Sequence, residues 1–375
     1  MMRDSGLGTR DSELLEATLG HLEKLVGFDT RNPPRAIGTD GIFDYLRDQL
    51  PGFDVRVTDH GAGAVSLFAA RGKPKLLFNV HLDTVPDSPQ WSADPFALRL
   101  AGGRAMGLGA CDIKGAAAAL LAVARASDDD MALLFTTDEE GADPRCIRVF
   151  LEGEHGFSNV LVAEPTRCKA VLAHRGIQSV RLRFEGRAGH ASAEQRPSDS
   201  ALHQAVRWSH AALEFAEAQS ACGFGGLQGL RFNLGRIEGG IKANMIAPDA
   251  EIRFGMRPLP SVDMDALLEH VRALAEPAPT EFEETFRGSP LPADHAQAES
   301  RLQDALALAE RLEIPVGGPV DFWTEAALFS QAGCTTFVFG PGDIVQAHSA
   351  DEWVELEQLR DYAQAVHRIV VGKFA

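Results

Sequence analysis

At 375 residues, 45% of them apolar, the chain has the material for a large core, and its length fits two domains or one large α/β body carrying an insertion. A formal charge of -17 and a pI near 5.1 exclude the basic surfaces that nucleic acid and anionic membranes select. Five cysteines without CxxC spacing exclude a disulfide framework and a thiolate metal site, and no apolar run approaches the ~20 residues that span a bilayer, so a reduced, cytoplasmic setting is expected.

The polar start over residues 1–10 has no apolar signal segment. From residue 12 to 28, Leu14, Leu15, Leu19, Leu22, Leu25 and Val26 recur at helical spacing, and Asn32-Pro33-Pro34 stops the pattern. A second helix is expected over 41–50. Residues 65–70 and 75–80 read as buried strands, 115–125 as an Ala-rich buried helix, and 131–136 and 160–163 as further strands. This alternation predicts an α/β sheet with helices packed on it. After His174-Arg175-Gly176 the rhythm changes to strand 177–185, helix 198–218, strands 230–238 and 250–257, helix 262–275 and strand 281–286. That order, β-α-β-β-α-β, is the ferredoxin-like arrangement. An inserted module over 178–288 is therefore expected, with 1–177 and 289–375 forming the main domain. The chain ends in helix 299–312, strand 335–339 and helix 355–370.

Five candidate metal ligands are spread along this framework: His81, Asp112, Glu140, Glu164 and His348. Imidazole and carboxylate donors of this kind suit divalent cations, zinc by default, with cobalt or manganese also compatible. Asp83 stands two residues beyond His81, on the same side of an extended chain, where it can orient the imidazole. Asp112 lies in a glycine-rich turn, Gly107 to Gly115, that opens onto the Ala-rich helix, and a helix N-cap and a metal ligand are both compatible with it. A nucleotide loop is disfavoured, because the third glycine is missing and no GK[ST] follows. Asp138-Glu139-Glu140 is either a solvated turn or a set of acids gathered round a cation. Four of the five candidates are expected just after strands of one sheet and the fifth after a strand in the returning segment.

Several motifs occur in one order: His81-Leu82-Asp83-Thr84-Val85-Pro86, Gly107-Leu108-Gly109 to Asp112-Ile113-Lys114-Gly115, Asp138-Glu139-Glu140 and Glu164-Pro165-Thr166. Gly189-His190-Ala191-Ser192, Arg257-Pro258-Leu259-Pro260, Thr324-Glu325-Ala326 and Gly340-Pro341-Gly342 through His348 follow. Across nearly the whole chain this series resembles the dinuclear-zinc aminoacylase and carboxypeptidase family, and within it the acetylornithine deacetylase branch. The resemblance implies a zinc-exopeptidase-like catalytic domain, a mixed sheet with helices on both faces, and an inserted ferredoxin-like lid and dimerisation domain, hence a homodimer. It implies that His81 and Glu164 bind one metal ion, Glu140 and His348 the other, and that Asp112 bridges them. Glu139 is then the general base and Asp83 the partner of His81. His190 is the lid histidine that stabilises an oxyanion, and Asn244 and Arg257 contact the substrate. Ile113 departs from the branch's Asp-Met-Lys-Gly, and Trp323 precedes Thr324, which leaves the side-chain pocket open.

The implied activity is metal-dependent hydrolysis of the N-acetyl group of a small N-α-acetyl-L-amino acid in arginine biosynthesis. N-acetyl-L-citrulline is favoured on overall resemblance, with N-acetyl-L-ornithine next to it. A dipeptidase or carboxypeptidase of the same family, and a catalytically silent binding or regulatory relative, are the alternatives. Nothing in spacing or composition separates a cationic ornithine side chain from a neutral citrulline one.

Overall fold

The structure, a computed structural model, describes residues 7–141, 143–194 and 196–372, so the first six residues of the polar start lie outside the described residues. The chain forms two compact units. One comprises Met1–Leu172, Gln303–Gly317 and Thr324–Ala375; the other comprises Ala173–Leu302 and Gly318–Trp323. The change of rhythm in the sequence places the limits at 177/178 and 288/289 and gives no sign of the return of Gly318–Trp323.

The first unit opens with α1 (Leu7–Val26) and α2 (Ile42–Gln49), then the strands β1 (Asp54–Asp59), β2 (Val65–Arg71) and β3 (Leu76–His81). Two short strands, β4 (Arg99–Ala101) and β5 (Arg104–Met106), precede α3 (Gly115–Ala126), β6 (Met131–Thr136), α4 (Arg145–Glu152) and β7 (Asn159–Val162). Every residue of β3 and β6 is buried, as expected for central strands covered on both faces. β1, with its alternating Asp54-Val55-Arg56-Val57, is the exposed edge of that sheet and pairs antiparallel with β2. Neither β1 nor α4 is expected from sequence, because an edge strand and an eight-residue helix bury too little apolar surface to leave a strong pattern.

The second unit holds β8 (Ile177–Glu185), β9 (Gly189–His190), α5 (Ala201–Ala218), β10 (Gly223–Phe224), β11 (Leu227–Gln228), β12 (Arg231–Gly239), β13 (Met245–Ile246), β14 (Asp249–Arg257), α6 (Met264–Arg272) and β15 (Glu281–Gly288). Its main sheet runs β12-β14-β8-β15, antiparallel throughout, which is the ferredoxin-like topology. Alternate residues of β8 and β14, among them Val180, Leu182, Phe184, Ile252, Phe254 and Met256, build a core with Trp208 of α5 and Val271 of α6. The Trp208 indole donates to the Val271 carbonyl at 3.0 Å, so the polar atom of this large side chain is satisfied inside the core. Ser200 caps α5 and Asp263 caps α6. Arg175, fully buried, donates to the carbonyls of Gln228 and Gly229 at 2.7 and 2.6 Å and pairs with Asp321, which fastens Gly318–Trp323 to this unit.

After these come α7 (Ala298–Arg311), α8 (Ala326–Gln331), β16 (Thr335–Val338), β17 (Trp353–Glu355) and α9 (Leu356–Val371). The large sheet of the first unit is ordered β1-β2-β6-β3-β7-β16. β6, β3, β7 and β16 are mutually parallel, whereas β1 and β2 are antiparallel additions, so the sheet is mixed. α1, α3 and α9 pack on one another, and α4 packs on α8, which also lies against β7 and β16. β17 pairs with β5 beside β4 in a small separate sheet. Among the described residues no helix is long and apolar enough to cross a membrane, and all five cysteines are free.

Candidate metal centre

Open sheets with parallel strands present ligands at the carboxyl ends of those strands. Here His81 is the last residue of β3, Glu140 follows β6, Glu164 follows β7, and His348 lies beyond β16. All four strands belong to the same sheet, including the one in the returning segment. Asp112 is the exception to the expectation that four ligands follow strands of the main sheet. It sits in the Gly107–Gly115 turn between the small sheet and α3, where Gly109 adopts a left-handed φ of 78° and the Lys114 N–H closes onto the Gly109 carbonyl at 2.7 Å. It does not cap α3, whose N-terminal capping position is Lys114.

The two oxygens of Asp112 face two different imidazoles. Oδ1 lies 3.2 Å from Nε2 of His81, and Oδ2 lies 3.2 Å from Nε2 of His348. Glu164 Oε1 is 3.7 Å from the first nitrogen, and Glu140 Oε1 is 3.0 Å from the second. His81, Asp112 and Glu164 thus form one donor group, and Asp112, Glu140 and His348 another, each with its atoms within 4.8 Å of one another. Metal–ligand bonds of about 2.0–2.2 Å in a tetrahedron subtend edges of roughly 3.4 Å, close to these spacings. His81, Asp112 and Glu164 are nearly fully buried, while the side chain of His348 is 51% exposed.

The proton inventory argues for a cation in the group around His81. His81 Nδ1 lies 3.0 Å from the Asp83 carbonyl and 3.4 Å from its Oδ1, both pure acceptors, so Nδ1 carries the proton. The lone pair of Nε2 then points at carboxylate oxygens, an arrangement that only a proton or a metal ion between them makes attractive. Asp83 is held in turn: its Oδ2 accepts from Asn32 Nδ2 at 2.9 Å and from the Glu140 N–H at 3.0 Å. Asn32, read in the sequence only as a helix stop before two prolines, is therefore an orienting group that no local signal announces. Arg35 Nε donates to the Asn32 side-chain oxygen at 3.3 Å and extends the chain outward.

The titration of these groups tells the same story. The hydrogen bonds of His348 to Asp112 and Glu140 raise its pKa to about 11 against the effect of burial. Burial opposes protonation of His81, yet Asp112 and Asp83 hold its pKa well above the imidazole range. Burial pushes Asp112 up, but its two histidine partners win and hold it below the carboxylate range. The cluster draws in positive charge at two places, where two divalent ions would displace two protons. Burial raises Glu139 to about 8, opposed by His81 and reinforced by Glu140, Asp83 and Asp112. Asp138, the first of the three acids, turns away from the centre and accepts from the Cys146 N–H at the start of α4 at 2.8 Å, so the run is not a solvated turn.

His190, Asn244 and Arg257 belong to the second unit. His190 on β9 pairs with Met245 on β13, and the Ala191 N–H donates to the Asn244 carbonyl at 3.0 Å, which brings His190 and Asn244 together. Nδ1 of the exposed His190 ring accepts the Ser192 N–H at 3.2 Å and lies 2.7 Å from the Ser192 hydroxyl. That pair of contacts leaves the proton of the neutral ring on Nε2, as a donor to an anion requires. Arg257 ends β14, half-buried, opposite Arg231.

Residues 77–371 match peptidase family M20/M25/M40. The chain belongs to this family. It is 62% identical over 363 residues to the N-acetyl-L-citrulline deacetylase of Xanthomonas campestris pv. campestris, covering 96% of this chain and 99% of that protein. To the acetylornithine deacetylase of Pectobacterium carotovorum subsp. carotovorum it is 29% identical over 319 residues, 80% of each chain. Among solved structures its fold is similar to aminopeptidase PepT from Bacillus cereus, with a TM-score of 0.71 at 18% identity over 95% of this chain and 98% of that one. It is also similar to the YXEP protein of Bacillus subtilis, a dinuclear metal-binding peptidase of the M20 family, with a TM-score of 0.64 at 15% identity over 96% and 98%. The M20 fold thus includes a dinuclear metal-binding member, and this chain carries two candidate ligand groups sharing one aspartate.

Proposed function

We propose that the chain is a metal-dependent amidohydrolase that removes the acetyl group from N-acetyl-L-citrulline, in preference to N-acetyl-L-ornithine, in arginine biosynthesis. The observation that carries the chemistry is the single carboxylate of Asp112 set between two imidazoles, each backed by a further glutamate. The substrate rests on 62% identity to a protein of that activity, against 29% for the acetylornithine enzyme. His81 and Glu164 are taken to hold one ion and Glu140 and His348 the other, with Asp112 common to both. Zinc is the ion of choice for this donor set, and cobalt or manganese would also fit it. Such a pair supplies Lewis-acid polarisation of the scissile carbonyl and lowers the pKa of water at the site.

Glu139 takes a proton from that water as its oxygen adds to the amide carbon, then delivers the proton to the amine nitrogen as the C–N bond breaks. Asp83 keeps the His81 ring in the tautomer that offers Nε2 to the centre. The Nε2–H of His190 stabilises the oxyanion, Arg257 clamps the α-carboxylate and Asn244 contacts the amide. The second unit serves as lid and dimer contact, and a cytoplasmic homodimer is the form proposed.

The deciding assay measures acetate release from N-acetyl-L-citrulline and N-acetyl-L-ornithine side by side, with dipeptides as controls. The citrulline derivative is expected to be the better substrate. Preference for the cation would move the substrate, and faster cleavage of dipeptides would replace deacetylation by peptidase activity. Glu139→Gln is expected to keep both ions and lose about 10²–10⁴-fold in kcat. Undiminished turnover in that variant would remove Glu139 as base.

A further inference from the structure

Four positions beyond His348, Glu352 is 2% exposed, and its carboxylate faces backbone instead of the donor atoms. Oε1 accepts the N–H groups of Cys111 and Asp112, each at 2.8 Å, and Oε2 accepts that of Gly109 at 2.9 Å. The Glu352 carbonyl takes the Gly107 N–H at 3.1 Å. Four N–H groups of the turn that carries Asp112 therefore end on one residue some 240 positions later in the chain. The segment leading to it is fastened as well, since Asp351 Oδ1 accepts from the Ser92 hydroxyl at 2.8 Å and Arg99 Nη2 at 2.7 Å. Beyond it, β17 pairs with β5, Trp353 opposite Met106.

Backbone N–H groups buried in a turn need an acceptor, and a carboxylate accepting three of them fixes their directions more tightly than a neutral group does. Fixing the amides of Gly109, Cys111 and Asp112 fixes where the Asp112 side chain leaves the backbone. We propose that Glu352 is a positioning residue of the dinuclear centre. It ties the turn bearing the bridging aspartate to the segment bearing His348, so that both keep their spacing whether or not ions are bound. The inference rests on the metal-ligand reading of Asp112 and His348 and is independent of the substrate.

The test is the metal affinity of the full chain, measured for Zn(II) or Co(II) by competition with a chromophoric chelator, in wild type, Glu352→Gln and Glu352→Asp. Glutamine keeps the volume but turns an NH₂ group toward donors, and aspartate is too short to reach all three N–H groups. Both are expected to fold and to bind about 10- to 100-fold more weakly, glutamine the more so, as for residues that orient ligands elsewhere. Excess metal should restore kcat in Glu352→Gln with KM unchanged. Wild-type affinity for two ions in that variant would overturn the proposal. Should the variants not fold, hydrogen exchange in the metal-stripped wild type decides: the Gly109, Cys111 and Asp112 amides are expected to exchange as slowly as those of β3. Rapid exchange there until metal is added would refute a pre-set turn. Wild-type chain that binds two ions but releases no acetate loses the substrate assignment and leaves Glu352 in place, whereas wild-type chain that binds no ions removes both.

Discussion

Replacing Asn32 by leucine tests whether the support of His81 reaches beyond the residues that touch metal. Asn32 is 3% exposed and Asp83 fully buried, and the bond between them, 2.9 Å, is one of two donated to Asp83 Oδ2. Leucine matches the shape of asparagine but leaves that oxygen with only the Glu140 N–H, and it also strips Arg35 Nε of its acceptor. A hydrogen bond to a buried charged group contributes about 1.5–3 kcal/mol. The bond exists before any ion binds, so its loss should first lower the stability of the stripped chain, by roughly 3–12 °C in Tm for a unit of this size. A loosened Asp83 no longer fixes the His81 tautomer, and metal affinity should fall by about 10- to 100-fold as well. Thermal unfolding of loaded and stripped protein, paired with chelator competition, separates the two effects. A folded Asn32→Leu variant with wild-type affinity would refute the idea that Asp83 acts through its own hydrogen-bond partners.

The pH dependence of the stripped chain has a definite sign. Burial raises Glu139 to about 8 from 4.5, and such a carboxyl favours the folded state while protonated. Stability from this group is therefore fully present below about 4.5 and lost as pH rises through 8. His348, raised from 6.5 to about 11 by Asp112 and Glu140, acts in the same direction above 6.5, whereas Lys114, lowered by burial to about 7, acts the other way above 7 but is outweighed by His348 and Glu139 together. Stripped protein should melt at lower temperature at pH 9 than at pH 6, and metal, whose binding releases protons, should flatten or reverse that slope; a stripped chain that gains stability toward pH 9 contradicts the account. The two ions should also differ. His81, at 2% exposure, lies in a buried group, whereas His348 at 51% is open to solvent, so a chelator should remove the His348 ion first in a two-step titration. Loss of both ions in one step, or retention by an Asp112→Asn variant of the ion held by Glu140 and His348 alone, would argue against one bridging carboxylate.

The legible parts of the chain were those whose side chains meet a repeating environment. β8 alternates buried and half-buried positions along its length, and α3 is buried at nearly every residue, so period two and an unbroken alanine run announce them. The candidate donors were legible for a related reason. A histidine or acid at the end of an apolar strand is exceptional in composition; His81 closes β3, and Glu140 and Glu164 follow β6 and β7 within four residues. Asp112 lies outside the main sheet, contrary to expectation, because the strands before it, β4 and β5, are three residues long and carry no pattern. Asn32 and Glu352 left no trace, since each acts through a partner 51 or more than 200 residues away and neither residue type is unusual where it stands.

That division has a physical cause. The parallel strands β6, β3, β7 and β16 can bring four donors to one edge of the sheet, but a strand end sets a side chain's direction only coarsely, and the fifth donor comes from a turn outside the sheet. Spacing of about 3 Å between donor atoms has to be imposed by groups that fix the backbone and rings behind them. In this chain those groups are Asn32 and the Glu140 N–H on Asp83, and Glu352 on the Asp112 turn. The two clamps act on opposite sides of Asp112: one governs the ring that meets Oδ1, the other the segment whose histidine meets Oδ2. Combining Asn32→Leu with Glu352→Gln should therefore weaken metal binding by more than either alone and close to the product of the two effects, because the clamps share no atom.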